Sequence, residues 1–179
     1  MTMPVLFIGH GSPLTIEQPK RLNEWRAWGA SLPRPKAVLM ISAHWETRPL
    51  MVGATSTQPL IYDFYGFPES YYQLSYSAPG APQLASRIRE LLRAGGMAFG
   101  ERPDRGWDHG VWIPMLGLYP EADVPLLQIS LPSQDANELM QLGALLAPLR
   151  EEGVLIIASG LLTHNLRQWT PDGVVAPWA

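Results

Sequence analysis

Four histidines are the residues of this sequence best suited to chemistry. His10 lies in GHGS, His44 in SAHW, His109 in WDHGVW and His164 in LLTHNL. The chain has no cysteine, which excludes thiolate ligands, a cysteine nucleophile and disulfides. Neutral imidazole is a frequent metal ligand and also titrates near neutral pH. The histidines therefore indicate a metal site, proton transfer, or both.

Short, continuous apolar runs precede three of these histidines. Such runs are typical of strands buried in a parallel sheet, and we predict them at 5–8, 37–42, 125–130 and 154–158, with a weaker one at 50–54. His10 and His44 follow the first two strands, and His164 lies a few residues beyond the last. Open α/β sheets form their ligand crevices at the carboxyl ends of strands, so the sequence predicts a site at that edge.

Helical patterns alternate with the strands. Leucine and isoleucine recur with helical spacing at 84–92 and 139–149, where Asp135 is a plausible N-cap, and shorter helices are predicted around 22–28 and after Gly110. Strands that alternate with helices predict an α/β protein with a mostly parallel central sheet and helices on both faces. A length of 179 residues fits a single domain over 1–179.

The segment 58–82 is rich in Tyr, Phe, Pro and Gly and lacks a clean period, which predicts a long ordered loop of a kind that is often functional. Weaker polar candidates are Asp63 and Glu69 in this loop, Glu46 and Asp108. Ser12 and Ser159 are possible nucleophiles, but the chain has no G-x-S-x-G elbow. It also lacks the glycine-rich motifs of nucleotide sites.

Composition narrows the partners. The net charge is −3 with scattered basic residues, which disfavours nucleic acid. Apolar residues make up 46% of the chain, yet no apolar run approaches the roughly 20 residues of a membrane-spanning helix. The first residues lack a basic region, so we expect a cytoplasmic protein that acts on a small molecule.

Several motifs in series carry a family resemblance. GHGSP, SAHWE, YDFYGFPESYY, DHGVWIP and the LIIASG…THNL block occur in this order. The chain resembles the class III extradiol ring-cleaving dioxygenases of the LigB type, in the DOPA-dioxygenase-like branch, over residues 3–167. The resemblance implies a metal-dependent enzyme that opens a catechol ring with O2.

The same resemblance implies roles for individual residues. His10 and His44 would coordinate one Fe(II) or Zn(II) per chain, His164 would act as the acid–base residue, and His109 would face the substrate and oxygen. An aromatic substrate also needs flat apolar walls. The predicted substrate-binding residues are His109, Asp108, Tyr65, Phe67 and Trp112.

The third metal ligand has no counterpart in this chain. In the family it lies in a C-terminal segment, and no histidine follows His164 here. We expect the family's C-terminal portion to be missing and the third ligand to lie beyond residue 179. Two alternatives stay open: a zinc-dependent hydrolase on the same scaffold that recruits Asp63 or Glu46, and a non-catalytic protein that binds a metal or small molecule.

Overall fold

Six strands form one sheet in the computed structural model, which describes residues 2–161. The spatial order is β1-β6-β2-β5-β3-β4. The contacts of β1, β6, β2 and β5 with one another are parallel, whereas β3 is antiparallel to β5 and parallel to β4. The prediction of a mostly parallel sheet is confirmed. The strands are β1 (Val5–Gly9), β2 (Ala37–Glu46), β3 (Leu50–Val52), β4 (Phe99–Glu101), β5 (Leu126–Leu131) and β6 (Val154–Gly160).

Four α-helices connect these strands, and 3-10 turns lie at Pro13–Glu17, Glu69–Gln73 and Ala147–Arg150. The Asp135 side chain accepts a hydrogen bond from the backbone N–H of Glu138 at 2.9 Å, as expected of an N-cap. The helices are α1 (Pro19–Ser31), α2 (Pro82–Ala94), α3 (His109–Leu118) and α4 (Ala136–Leu146).

Two apolar clusters lie on opposite faces of the sheet. Because successive strand residues point to opposite faces, Leu155 of β6 joins one cluster and Ile156 the other. The first cluster includes residues of α1 and α3, and the second includes residues of α2 and α4. Helices therefore cover both faces, as the sequence pattern predicts.

Helix α3 is buried on almost every side, which distinguishes it from the amphipathic α2. Nine of its ten residues are buried, and it packs closely on α1. A Cβ added to Gly29 of α1 would lie 2.3 Å from the carbonyl oxygen of Leu118, so only glycine permits this approach. The α1 contact holds α3 in place, with its first residue, His109, at the edge of the sheet.

Several boundaries differ from the sequence-based prediction. Strand β2 continues to Glu46, with a register shift between Ile41 and Glu46, so His44 lies within the strand and not after it. The predicted strand at 50–54 ends at Val52, and the short strand β4 was not predicted. Within residues 2–161 no helix combines the length and apolar character that crossing a membrane requires.

Candidate metal centre

Three of the four histidines meet at the carboxyl edge of the sheet. His10 follows β1, His44 lies near the end of β2, and β6 runs between these two strands. His109 comes from the first turn of α3. One potential ligand atom from each imidazole lies within 4.8 Å of the others. Parallel strands bring their carboxyl ends to one edge, which explains why residues so distant in sequence converge.

His10 and His44 have a spacing that is compatible with a shared metal ion. Nε2 of His10 and Nε2 of His44 are 3.0 Å apart. Two nitrogens that each bind one ion at about 2.0–2.1 Å lie close to 3 Å apart when the angle at the ion is near 90°. His10 is 2% exposed and the His44 side chain 25%. Imidazole donors of this kind suit zinc, iron and copper.

A serine at the end of β6 determines which nitrogen of His10 faces the cluster. The Ser159 hydroxyl donates to the backbone carbonyl of Gly110 and lies 2.9 Å from Nδ1 of His10. A hydroxyl has one proton, and the carbonyl uses it, so Ser159 accepts from Nδ1–H of His10. Nε2 of His10 therefore carries the lone pair, and it is the nitrogen that faces His44.

The carboxylate of Asp63 contacts two of the three histidines. Its Oδ1 accepts from the backbone N–H of His109 at 3.0 Å and from the ring Nδ1 at 2.8 Å. Its Oδ2 lies 3.7 Å from Nδ1 of His44. Burial raises the pKa of Asp63, but the hydrogen bonds and charge of His109 outweigh burial and leave the pKa below its ordinary value. The group is thus a carboxylate at neutral pH.

Asp108 lies beneath the site and caps α3. It is fully buried, and its Oδ1 accepts from Ser42 at 2.7 Å and from the Gly110 N–H at 3.1 Å. Its Oδ2 accepts from Gln128 at 2.6 Å and Arg105 at 3.2 Å. Each oxygen accepts two hydrogen bonds, so this carboxylate supports the start of α3, and its contact with substrate stays a prediction.

The aromatic residues near His109 differ in their contacts and exposure. Phe64 contacts His109 edge-on, with 5.7 Å between ring centroids, and Phe67 packs against Phe64. Tyr65 is 92% exposed, because the loop turns it toward solvent. Trp112 is fully buried and donates to the carbonyl of Ile61 at 3.2 Å, so it supports the loop from the core.

Several residues that support the site have only weak signals in the sequence. His164 lies outside the described residues. Gln128 and Ser42, which donate to Asp108, are not among the sequence-predicted site residues, although a glutamine within the apolar strand PLLQIS is a signal for a buried polar contact. The sequence suggests Ser159 only as a possible nucleophile, and it offers Asp63 as one of four weak carboxylate candidates. Their contacts depend on pairings across 149 and 46 residues.

The fold and this cluster define an α/β protein with a candidate metal centre of imidazoles at the carboxyl edge of its sheet. Comparison with known families identifies which one. The family model for the catalytic LigB subunit of aromatic ring-opening dioxygenase matches residues 5–176. The chain belongs to this family, which confirms the resemblance found in the sequence motifs.

Individual relatives agree with this family assignment. The chain is 43% identical to a 4,5-DOPA dioxygenase extradiol of Escherichia coli K12, over 99% of this chain and 66% of the relative. It is 47% identical to one from Beta vulgaris, over 97% and 67%. The crystal structure of the uncharacterized protein JW3007 from Escherichia coli K12 superposes with a TM-score of 0.78 at 37% identity, covering 98% of this chain and 68% of that one. The chain spans about two thirds of the length of these relatives.

Proposed function

We propose that this protein is a metal-dependent extradiol dioxygenase that opens the ring of a catechol with O2. The observation that carries the proposal is the His10–His44 pair, with a spacing of 3.0 Å between Nε2 atoms, in a chain of the LigB family. The named activity of the relatives, 4,5-DOPA dioxygenase extradiol, suggests a DOPA-like catechol as substrate.

His10 and His44 would hold the metal, which we propose to be Fe(II), with zinc as the alternative. Bound Fe(II) supplies open coordination positions for the two catechol oxygens and the redox chemistry that O2 requires. The two histidines are suited to this role because both lie at the carboxyl edge of the sheet and Ser159 sets the tautomer of His10. We assign the third ligand to a group outside the described residues, since His109 has the substrate-facing role.

Proton transfer is assigned to the other histidines. We propose that His164 removes a proton from a phenolic oxygen of the catechol and later returns one, because imidazole titrates near neutral pH. His109 would face the substrate from the first turn of α3, where its Nδ1 is held by Asp63. With its Nδ1 proton donated to Asp63, a neutral His109 would accept a hydrogen bond from a catechol hydroxyl at Nε2.

The aromatic loop would supply the wall for the catechol ring. Phe64 is the aromatic residue in contact with His109, and Phe67 extends the same surface through its contact with Phe64. Ring faces and edges of this kind contact a planar aromatic substrate favourably. We therefore assign this role to Phe64 and Phe67. Tyr65 is turned to solvent and Trp112 is buried in the core, so both are less suited to it.

Oxygen uptake tests the proposal. The protein is loaded anaerobically with Fe(II), its metal content is measured, and DOPA or catechol is added with O2. We expect one O2 consumed per ring opened and a yellow semialdehyde product, because both oxygen atoms enter the product. His10→Ala and His44→Ala should abolish uptake together with metal binding, whereas His164→Ala should abolish uptake with metal retained. Absence of uptake by iron-loaded protein with both catechols would contradict the proposal.

Two further predictions stand beside this function. A single catalytic domain over 1–179 and a cytoplasmic location rest on the sequence alone. The proposed partners are a small catechol and O2.

A further inference from the structure

The contact between Asp63 and His109 joins the aromatic loop to the metal centre. One carboxylate oxygen accepts from both the backbone N–H and the ring Nδ1 of His109, at 3.0 and 2.8 Å. The backbone contact holds the start of α3, and the ring contact restricts rotation of the imidazole about its side-chain bonds. His109 is 6% exposed, so the ring lies in a packed environment with few other orientations.

The chemistry of this contact determines where the proton of a neutral His109 lies. An ionised carboxylate only accepts hydrogen bonds, so Nδ1 must be the protonated nitrogen. The lone pair is then on Nε2. The Asp63 contact thus does for His109 what the Ser159 contact does for His10, although the two acceptors come from a loop and a strand.

We propose that Asp63 is a positioning residue that fixes the Nδ1–H tautomer and the ring orientation of His109 at the metal centre. Its catalytic consequence rests on the proposed dioxygenase function, whereas the tautomer does not. Ligating or reacting histidines are commonly oriented in this way by a carboxylate on the other ring nitrogen. The 3.7 Å separation between Oδ2 and Nδ1 of His44 exceeds a hydrogen bond, so the role concerns His109 first.

This role differs from the metal-ligand role that the hydrolase alternative gives to Asp63. Oδ1 already accepts two hydrogen bonds from His109, and these directional contacts hold the carboxylate against α3. A positioning residue acts through His109, so replacing Asp63 should alter the state of that imidazole while His10 and His44 still bind metal. If Asp63 were a metal ligand, its replacement should instead weaken metal binding first and alter His109 less.

Imidazole NMR of the zinc-loaded protein tests the tautomer without relying on activity. Long-range 1H–15N spectra distinguish a proton-bearing ring nitrogen from an unprotonated one, and the His109 signals are assigned by their loss in His109→Gln. We expect a proton-bearing Nδ1 in the native protein and in Asp63→Asn, whose amide oxygen still accepts. Asp63→Ala should lose this signature. Asp104→Ala is the matched control, because Asp104 is a largely exposed aspartate in a pair with Arg102.

Activity of the iron-loaded variants supplies the second readout. Removing a carboxylate of this kind typically lowers activity about 10–100-fold, and we expect Asp63→Ala to lower kcat by that range with little change in KM or metal content. Asp63→Asn should retain more activity than Asp63→Ala. The proposal is overturned if native His109 carries its proton on Nε2, if Asp63→Ala leaves the His109 spectrum unchanged, or if its main defect is loss of zinc. The NMR spectra report the His109 tautomer even if the protein has no dioxygenase activity, so failure of the proposed function and failure of this proposal are distinguishable.

Discussion

At the scale of single residues, the candidate centre depends on hydrogen bonds that decide which imidazole nitrogen faces the metal. Ser159 and Asp63 each accept from a ring nitrogen of a different histidine. Because a neutral imidazole has one proton, an acceptor on one nitrogen leaves the lone pair on the other. The Ser159 contact sets the donor atom of His10 in place before a metal binds, which lowers the free energy needed to order it, and the Asp63 contact orients His109 in the same way.

Ser159→Ala should therefore weaken metal binding. Loss of such a partner typically lowers metal affinity by about 10–100-fold, because the His10 ring can then rotate and adopt the other tautomer. The measurement is a titration with Zn(II) against a chromophoric chelator. Ser130→Ala is the matched control: Ser130 is also a fully buried strand serine, but its hydroxyl contacts Thr47 and Met51. Equal affinities for both variants would refute this role.

At the scale of elements, α3 links the core to the site. Its first residue is His109, its cap is Asp108, and its body packs on α1 and the sheet. The helix position therefore decides where His109 lies relative to the strand ends. Two features hold it: the close contact with α1 and the buried hydrogen bonds of the cap.

Gly29→Ala tests the contact with α1. The added Cβ would overlap the Leu118 carbonyl at 2.3 Å, and such overpacking typically costs about 1–3 kcal/mol. Gly143→Ala is the matched control, since Gly143 is also helical and nothing lies within 4 Å of an added Cβ. That variant should be neutral or more stable by up to about 1 kcal/mol. Urea unfolding measures both, and equal stabilities would contradict the close packing.

Asp108→Ala tests the cap. The change leaves Arg105, with a side chain 19% exposed, and the Gln128 amide without their carboxylate. Removing one partner of a buried ion pair typically destabilises by about 3–5 kcal/mol. We expect a large loss in the free energy of unfolding, measured by urea denaturation. The exposed Asp104→Ala should change it little, and a similarly small effect of Asp108→Ala would show that the cap is dispensable.

At the scale of the whole molecule, metal binding and folding should be coupled. The cluster joins two strands and a helix that are separated in sequence, so it is complete only in the folded chain, and a ligand that binds only the folded state stabilises it.

Addition of Zn(II) should raise the melting temperature. At a free metal concentration 100 times the dissociation constant, a ligand specific for the folded state adds about 2.7 kcal/mol. Differential scanning calorimetry with and without metal measures the shift. His10→Ala and His44→Ala should lose it, while His164→Ala should keep it if His164 is not a ligand. A shift that persists in both of the first two variants would place the metal elsewhere.

The sequence by itself determined the class of fold, the edge of the sheet that carries the site, and the family. Those conclusions follow from local patterns: continuous apolar runs mark buried parallel strands, helical spacing marks the covering helices, and several motifs in series are specific. The Asp135 cap was predictable for the same reason, because an N-cap and the amide that it binds are three residues apart.

Only the tertiary structure decided which side chains support the histidines. Ser159 reaches His10 because β6 lies between β1 and β2, and that order is not written in local spacing. Asp63 and Asp108 look alike in sequence, yet one contacts the cluster and the other is fully buried beneath it. Phe64 faces His109 while its neighbour Tyr65 faces solvent, because an irregular loop has no period that predicts direction. Such contacts arise from long-range packing, and only the folded chain contains them.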